Sequence, residues 1–182
     1  MKYALMLAIT ALLTACASSP YTYHVEPTPL KNHETAYFIS DVKVNLSLSH
    51  GADPASTQFA DQNELKAQFR QYLEASLKEQ GLLASDKEHG TSVIVNIDYK
   101  RTFNHGGKAL NKPQVSHHVV ISDENQKLAS FSAKNYTTNH GTFGEAAVSL
   151  EIAAFNWDQE DEPKDIELIS KNIVKDLVNA GS

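Results

Sequence analysis

The stretch SVIVNIDYKRTF, residues 92–103, decides the fold class of this chain. Apolar and polar side chains alternate along it, which is the period of a β-strand with one face buried. The apolar positions are Val93, Val95, Ile97, Tyr99 and Phe103, and the polar ones include Ser92, Asn96, Asp98 and Lys100. The stretch therefore predicts a half-buried strand in a sheet that covers one core.

A similar alternation lies upstream and predicts a strand that ends at the turn cluster His50–Pro54. Its apolar positions are Phe38, Val42, Val44, Leu46 and Leu48. A helix is predicted between the two strands, because Asp61 and Glu64 have the spacing of a capping box. Apolar residues then recur at helical spacing, namely Leu65, Phe69, Tyr72, Leu73 and Leu77, and Gly81 suits the helix end.

Two further strands and a closing helix are predicted downstream. The strands cover about residues 115–122 and 127–138, and a turn at 123–126 joins them as a hairpin. The helix covers Pro163 to Asn179, with a stripe of Ile166, Ile169, Ile173, Val174 and Leu177. Residues 143–157 match a helix and a strand almost equally well, and their alanines slightly favour a helix.

This order of elements, β-α-β-β-β-x-α, predicts an α+β two-layer sandwich. A helical crossover makes the first two strands parallel, and hairpins add the others antiparallel to give a mixed sheet of about four strands. Because the apolar side chains of the strands lie mainly on one face of the sheet, two or three helices should pack mainly on that face. Tyr37, Ile39 and Ile94 fall on the polar parity, so we expect an apolar end on the outer face, covered by residues 143–157.

The N-terminus carries a short basic start at Lys2, an apolar run from Ala4 to Leu13, and the string Leu13-Thr14-Ala15-Cys16. This pattern resembles the signal peptide and lipobox of bacterial lipoproteins, with residues 1–15 as the signal peptide. The resemblance implies that Cys16 becomes the mature N-terminus and carries a diacylglycerol and an acyl chain such as palmitate. Ala17, rather than Asp, resembles an outer-membrane sorting signal, and we expect the anchored protein to face the periplasm.

Composition sets the domain plan and excludes some partners. Residues 16–34 contain Pro20, Pro27 and Pro29 and are predicted to form a flexible tether, and residues 35–182 a single globular domain. The chain has 16 basic and 22 acidic side chains, a net charge of −6, so we expect repulsion by nucleic acid and by anionic lipid surfaces, and nucleic acid is not an expected partner. Cys16 is the only cysteine, so disulfide and thiolate chemistry are not expected.

No residue pattern indicates a metal, cofactor or catalytic site. The eight histidines lack i, i+4 pairs on a helix, and the adjacent His117 and His118 should point to opposite faces of a strand. They are His24, His33, His50, His89, His105, His117, His118 and His140. The acidic run Asp158–Glu162 lacks the spacing of a calcium loop and favours a solvated helix start.

Enzyme motifs are also absent from the sequence, which contains no G-x-S-x-G, G-x-G-x-x-G or Walker-type loop. We therefore expect a non-enzymatic outer-membrane lipoprotein with a structural or interaction role, held by its lipid anchor and contacting an envelope protein. One alternative is a periplasmic module that binds a small molecule or cell-wall fragment in a pocket lined by Tyr and Trp, for which Trp157 beside Phe155 is a candidate anchor. A hydrolase with Ser, His and Asp brought together only in space remains a third hypothesis.

Overall fold

A computed structural model describes residues 20–49, 58–103, 110–124, 126–138 and 159–182. Over these ranges the chain forms five strands and two helices. The strands are β1 (Thr22–Tyr23), β2 (Tyr37–Leu48), β3 (Thr91–Phe103), β4 (Leu110–Ser122) and β5 (Lys127–Tyr136), and the helices are α1 (Gln62–Glu79) and α2 (Glu162–Val178).

The strands form one mixed sheet in the order β1-β5-β4-β3-β2. β2 and β3 are parallel, as the helical crossover predicts, and every other pair is antiparallel. The apolar stripes of both helices and the inward side chains of the strands form one core cluster. The predicted α+β class is confirmed. The sheet has one more strand than expected, because the short β1 adds to its β5 edge.

The two helices run in the same direction across the sheet. Their first turns are neighbours, since the backbone N–H of Ala60 donates to Glu162 Oε2 at 3.2 Å. Their last turns are neighbours as well, since Glu79 and Val178 line the same surface cavity. The capping box of α1 is present, with Asp61 accepting from two backbone N–H groups and Glu64 accepting from the N–H of Asp61.

A β-bulge in β2 changes which sheet face carries the first residues of the strand, so the apolar end expected on the outer face does not form as predicted. The pairing with β3 shifts between Ile39 and Asp41, so Ser40 is an extra residue in the strand. The bulge places Tyr37 and Ile39 on the same face as Val42, and all three are no more than 1% exposed. The expectation that Tyr37 and Ile39 lie on the outer face is wrong, and so is the parity that grouped Phe38 with Val42, because Phe38 pairs with Ser92 and lies on the outer face. Residues 143–157, expected to cover them, lie outside the described ranges.

The N-terminal strap, defined as residues 20–34, differs from the predicted flexible tether. β1 within it pairs with β5, and Leu30 is 1% exposed and belongs to the core. Apolar burial and sheet hydrogen bonds therefore fix a segment whose prolines and lack of periodicity predicted an open chain. The signal peptide and Cys16 lie outside the described residues.

Candidate functional site

The N-terminal strap crosses the end of the domain where both helices finish. It leaves the β5 edge with a hydrogen bond from the N–H of His24 to the carbonyl of Leu128, at 2.8 Å. It then meets the chain beyond α2, where the N–H of His33 donates to the carbonyl of Val178 and the N–H of Ser182 to that of Leu30. The strap thus joins the N-terminal and C-terminal parts of the described chain.

Tyrosine hydroxyls donate hydrogen bonds to the backbone carbonyl groups at the end of α2. The last carbonyls of an α-helix have no partner within the helix, so they need donors from elsewhere. The hydroxyl of Tyr21 donates to the carbonyl of Asp176 at 2.8 Å, and that of Tyr37 to the carbonyl of Leu177 at 2.9 Å. Burial raises the pKa of Tyr21 to about 12 and that of Tyr37 further, so both hydroxyls keep their protons.

The chain segment after α2 packs so tightly on the strap that one position requires glycine. Gly181 has a φ of +116°, and a Cβ there would lie 2.4 Å from the carbonyl oxygen of Leu30. Its N–H donates to the hydroxyl oxygen of Tyr23 at 2.9 Å. Only a residue without a side chain allows this approach. The junction is therefore a fixed contact of the fold.

This junction lies close in sequence to the one predicted modification site. Four residues, 17–20, separate Cys16 from Tyr21. The ring of Tyr21 packs edge-on against Phe131 of β5, with ring centroids 5.6 Å apart. Residues that pack on the domain are therefore found within five positions of the predicted lipid attachment point.

A buried cluster of charged side chains lies at the opposite end of the helices. Arg101 Nη2 is 2.6 Å from Glu162 Oε1, and the two side chains are 4% and 3% exposed. The hydroxyl of Tyr99 also donates to this carboxylate at 3.2 Å, and Arg101 Nη2 donates to the carbonyl of Ala60 at 2.7 Å. Burial raises the pKa of Glu162, although the Arg101 guanidinium acts against that shift.

The contacts of this cluster favour a structural role. Glu162 Oε1 accepts from Tyr99 and Arg101, and Oε2 accepts from the backbone of Ala60. Both carboxylate oxygens are thus engaged within the protein, and the start of α2 adds favourable backbone dipoles. The prediction that the acidic run 158–162 is solvated is therefore wrong for Glu162, which is 2% exposed. One feature of the sequence pointed to this ion pair. Arg101 follows Val93, Val95, Ile97 and Tyr99 at every second position, so its side chain is expected on the buried face of the strand.

The described histidines do not form a metal site. His117 is 6% exposed on the inner face of β4, whereas His118 is exposed on the outer face, so their predicted opposite orientation is confirmed. Tyr136 Oη lies 2.7 Å from His117 Nδ1, while His117 Nε2 is buried without a partner. Burial lowers the pKa of His117 to about 4. Over the described ranges, no three His, Cys, Asp or Glu side chains lie close enough to hold an ion.

Cavities between described residues include open ones of about 550, 440 and 430 Å³, and none of these has Tyr or Trp in its lining. The first is lined mostly by charged and polar side chains of residues 87–92 and 123–124. Trp157, Phe155, His50, His105 and His140 lie outside the described ranges. Neither described helix has the length and hydropathy needed to cross a bilayer.

Comparisons with known proteins return solved structures only. A Xanthomonas campestris protein of family DUF330 has a TM-score of 0.40 and 9% identity, over 84% of this chain and 90% of that chain. A neuraminyllactose-binding hemagglutinin homolog from Helicobacter pylori has a TM-score of 0.37 and 8% identity, over 84% and 86%. A minor lipoprotein from Acinetobacter baumannii has a TM-score of 0.28 and 16% identity, over 75% and 91%. No family description and no curated protein matches the sequence.

Proposed function

We propose that this protein is a lipid-anchored lipoprotein of the bacterial outer membrane, facing the periplasm, with a non-enzymatic interaction role in the envelope. The observation that carries the proposal is the lipobox Leu13-Thr14-Ala15-Cys16 after a basic start and a short apolar run. An apolar run of this length is too short to span a bilayer, which takes about 20 residues. Two or more acyl chains on Cys16 would give a stable anchor.

Two features of the described domain support an interaction role. The charged groups buried beside α2 already have partners within the protein, which suits a scaffold better than a reaction centre. The outer sheet face carries half-buried Phe38, Ile94 and Val120 on three neighbouring strands. These side chains give an envelope protein a mildly apolar surface to contact.

Metabolic labelling with an alkyne analogue of palmitate tests the anchor in cells that produce the full chain. The natural sequence should incorporate the label and fractionate with the outer membrane, and Cys16→Ser should do neither. Ala17→Asp is the matched control for sorting, because it should keep the label and move the protein to the inner membrane. Incorporation by Cys16→Ser would contradict the proposal.

Photocrosslinking in vivo tests the interaction role. A photoreactive residue in place of His118 samples the outer sheet face, and one in place of Gln71 samples the exposed side of α1. One recurring envelope protein captured from position 118 and not from 71 would support a partner on the outer face. Capture of lipid alone from both positions would argue against it and favour the alternative of a small-molecule or cell-wall-fragment binding module.

A further inference from the structure

The length of chain between the anchor and the domain limits how the domain can lie on the membrane. An extended chain spans at most about 3.6 Å per residue, so the five steps from Cys16 to Tyr21 reach ~18 Å. Tyr21 itself is fixed by its hydrogen bond to Asp176 and its packing on Phe131. This limit rests on the proposed lipidation of Cys16.

The reach is short relative to the domain. A compact domain of about 150 residues has a radius of gyration near 15 Å, and hence a width of roughly 40 Å. The lipid can therefore enter the bilayer only close to the point where the chain leaves the domain. That point is the edge formed by β1 and β5, where Thr22 pairs with Ser130.

The charge of this edge suits a phospholipid surface. β1 and β5 together contain Lys127 and Lys134 and no acidic residue, although the Asp176 carboxyl of α2 acts on Tyr21 and Tyr136 and the whole chain has a net charge of −6. β1 covers only the first part of β5, and beyond it Ser132, Lys134 and Asn135 are exposed. Lysines near a membrane surface are attracted to anionic headgroups.

We propose that the β1–β5 edge of the domain faces the phospholipid surface in which Cys16 is anchored. The opposite edge of the sheet, β2, then projects away from the bilayer. α1, which packs against β2, projects away with it. A protein partner would reach the domain from the β2 side or across the outer sheet face.

The test uses the full, lipidated protein in vesicles of phosphatidylethanolamine and phosphatidylglycerol at a ratio of about 3:1. Acylation of Cys16 leaves no free thiol, so an introduced cysteine can be labelled alone with a fluorophore. Ser132→Cys on β5 and Ser47→Cys on β2 are a matched pair, because both serines are exposed strand residues at opposite edges. Quenching by a lipid with a spin label in its headgroup reports proximity to the bilayer.

The label at position 132 should be quenched at least threefold more than the label at position 47. Insertion of eight Gly and Ser residues between Ala17 and Ser18 should reduce that ratio towards one. Equal quenching without the insertion, or stronger quenching at position 47, would overturn the proposed orientation. Intact mass measurement separates the two proposals, because missing acyl chains contradict the lipidation itself, whereas equal quenching of acylated protein contradicts only the orientation.

Discussion

The Arg101 guanidinium and the Glu162 carboxylate form an ion pair with an Nη2–Oε1 distance of 2.6 Å inside the domain. Arg101 lies near the end of β3, and Glu162 is the first residue of α2. The backbone of Ala60, just before α1, binds both partners. The pair therefore fixes the starts of both helices to the sheet.

Arg101→Met should strongly destabilise the domain, because it leaves the Glu162 carboxylate buried without a counter-charge. Loss of one partner of a buried pair costs about 3–5 kcal/mol in the free energy of unfolding. The deficit should grow as pH rises, since a buried carboxyl with a raised pKa is tolerated when protonated and penalised once charged. Urea unfolding of residues 17–182 at pH 5 and pH 8 measures both effects.

The double variant Arg101→Met/Glu162→Met separates the charge from the packing. Replacement of both partners by apolar side chains of similar volume is often close to neutral. We expect the double variant to recover most of the stability that Arg101→Met loses, and to lose its dependence on pH. A double variant as unstable as the single one would show that specific hydrogen bonds, rather than charge burial, hold this junction.

His117 should make the domain less stable in mild acid. Its pKa is lowered by burial from 6.5 to about 4, so its contribution to stability is present above pH 6.5 and is lost as pH falls towards 4. The shift corresponds to a loss of about 3 kcal/mol at most. The free energy of unfolding should therefore fall from pH 7 to pH 4.5, and His117→Gln should flatten that fall.

His118→Gln is the matched control for this effect. His118 is the next residue of β4, and its side chain is exposed on the outer face. The control variant should retain the slope of the natural sequence between pH 7 and pH 4.5. If His117→Gln retains the same slope as His118→Gln, the acid sensitivity arises from other groups.

Leu30→Ala tests whether the N-terminal strap is part of the cooperative fold. Leu30 is 1% exposed, and removal of a buried leucine side chain costs about 2–5 kcal/mol. Lys31→Ala changes the next residue, whose side chain is 70% exposed, and should alter stability by no more than about 0.5 kcal/mol. Equal stability of the two variants, measured by thermal unfolding, would indicate that the strap detaches independently.

The strand pattern was predictable from sequence because each strand carries its own alternation. The inward set Val93, Val95 and Ile97 is buried, and β2 and β3 pair in parallel as expected. The bulge at Ser40 leaves no mark in residue type, since an extra residue shifts the parity without changing composition. That shift explains why the sequence pattern predicts the outer face for Tyr37 and Ile39, whereas both lie on the inner face.

The packing of the strap and the buried ion pair could not be predicted from sequence, because both depend on partners that are distant in the chain. Thr22 pairs with Ser130, and Glu162 meets an arginine on β3, so neither contact has a local periodicity. A two-residue strand is also too short to show alternation. The sequence-based site, Cys16, rests on a local motif, and only the structure reveals how little chain separates it from the domain.

Gly181→Ala should weaken the junction between the strap and the end of α2. An alanine Cβ would approach the carbonyl of Leu30 to 2.4 Å, and the φ of +116° is itself unfavourable for a side chain. Strained backbone of this kind costs about 1–3 kcal/mol, to which the steric clash adds.

Gly81→Ala is the matched control, because Gly81 also has a positive φ, +71°, but a Cβ there meets nothing within 4 Å. Gly81→Ala should cost only about 1 kcal/mol. Hydrogen exchange at the amides of His33 and Ser182, whose N–H groups close the junction, should accelerate in Gly181→Ala and stay slow in Gly81→Ala. Unchanged exchange in Gly181→Ala would mean that the C-terminal residues can move off the strap without loosening it.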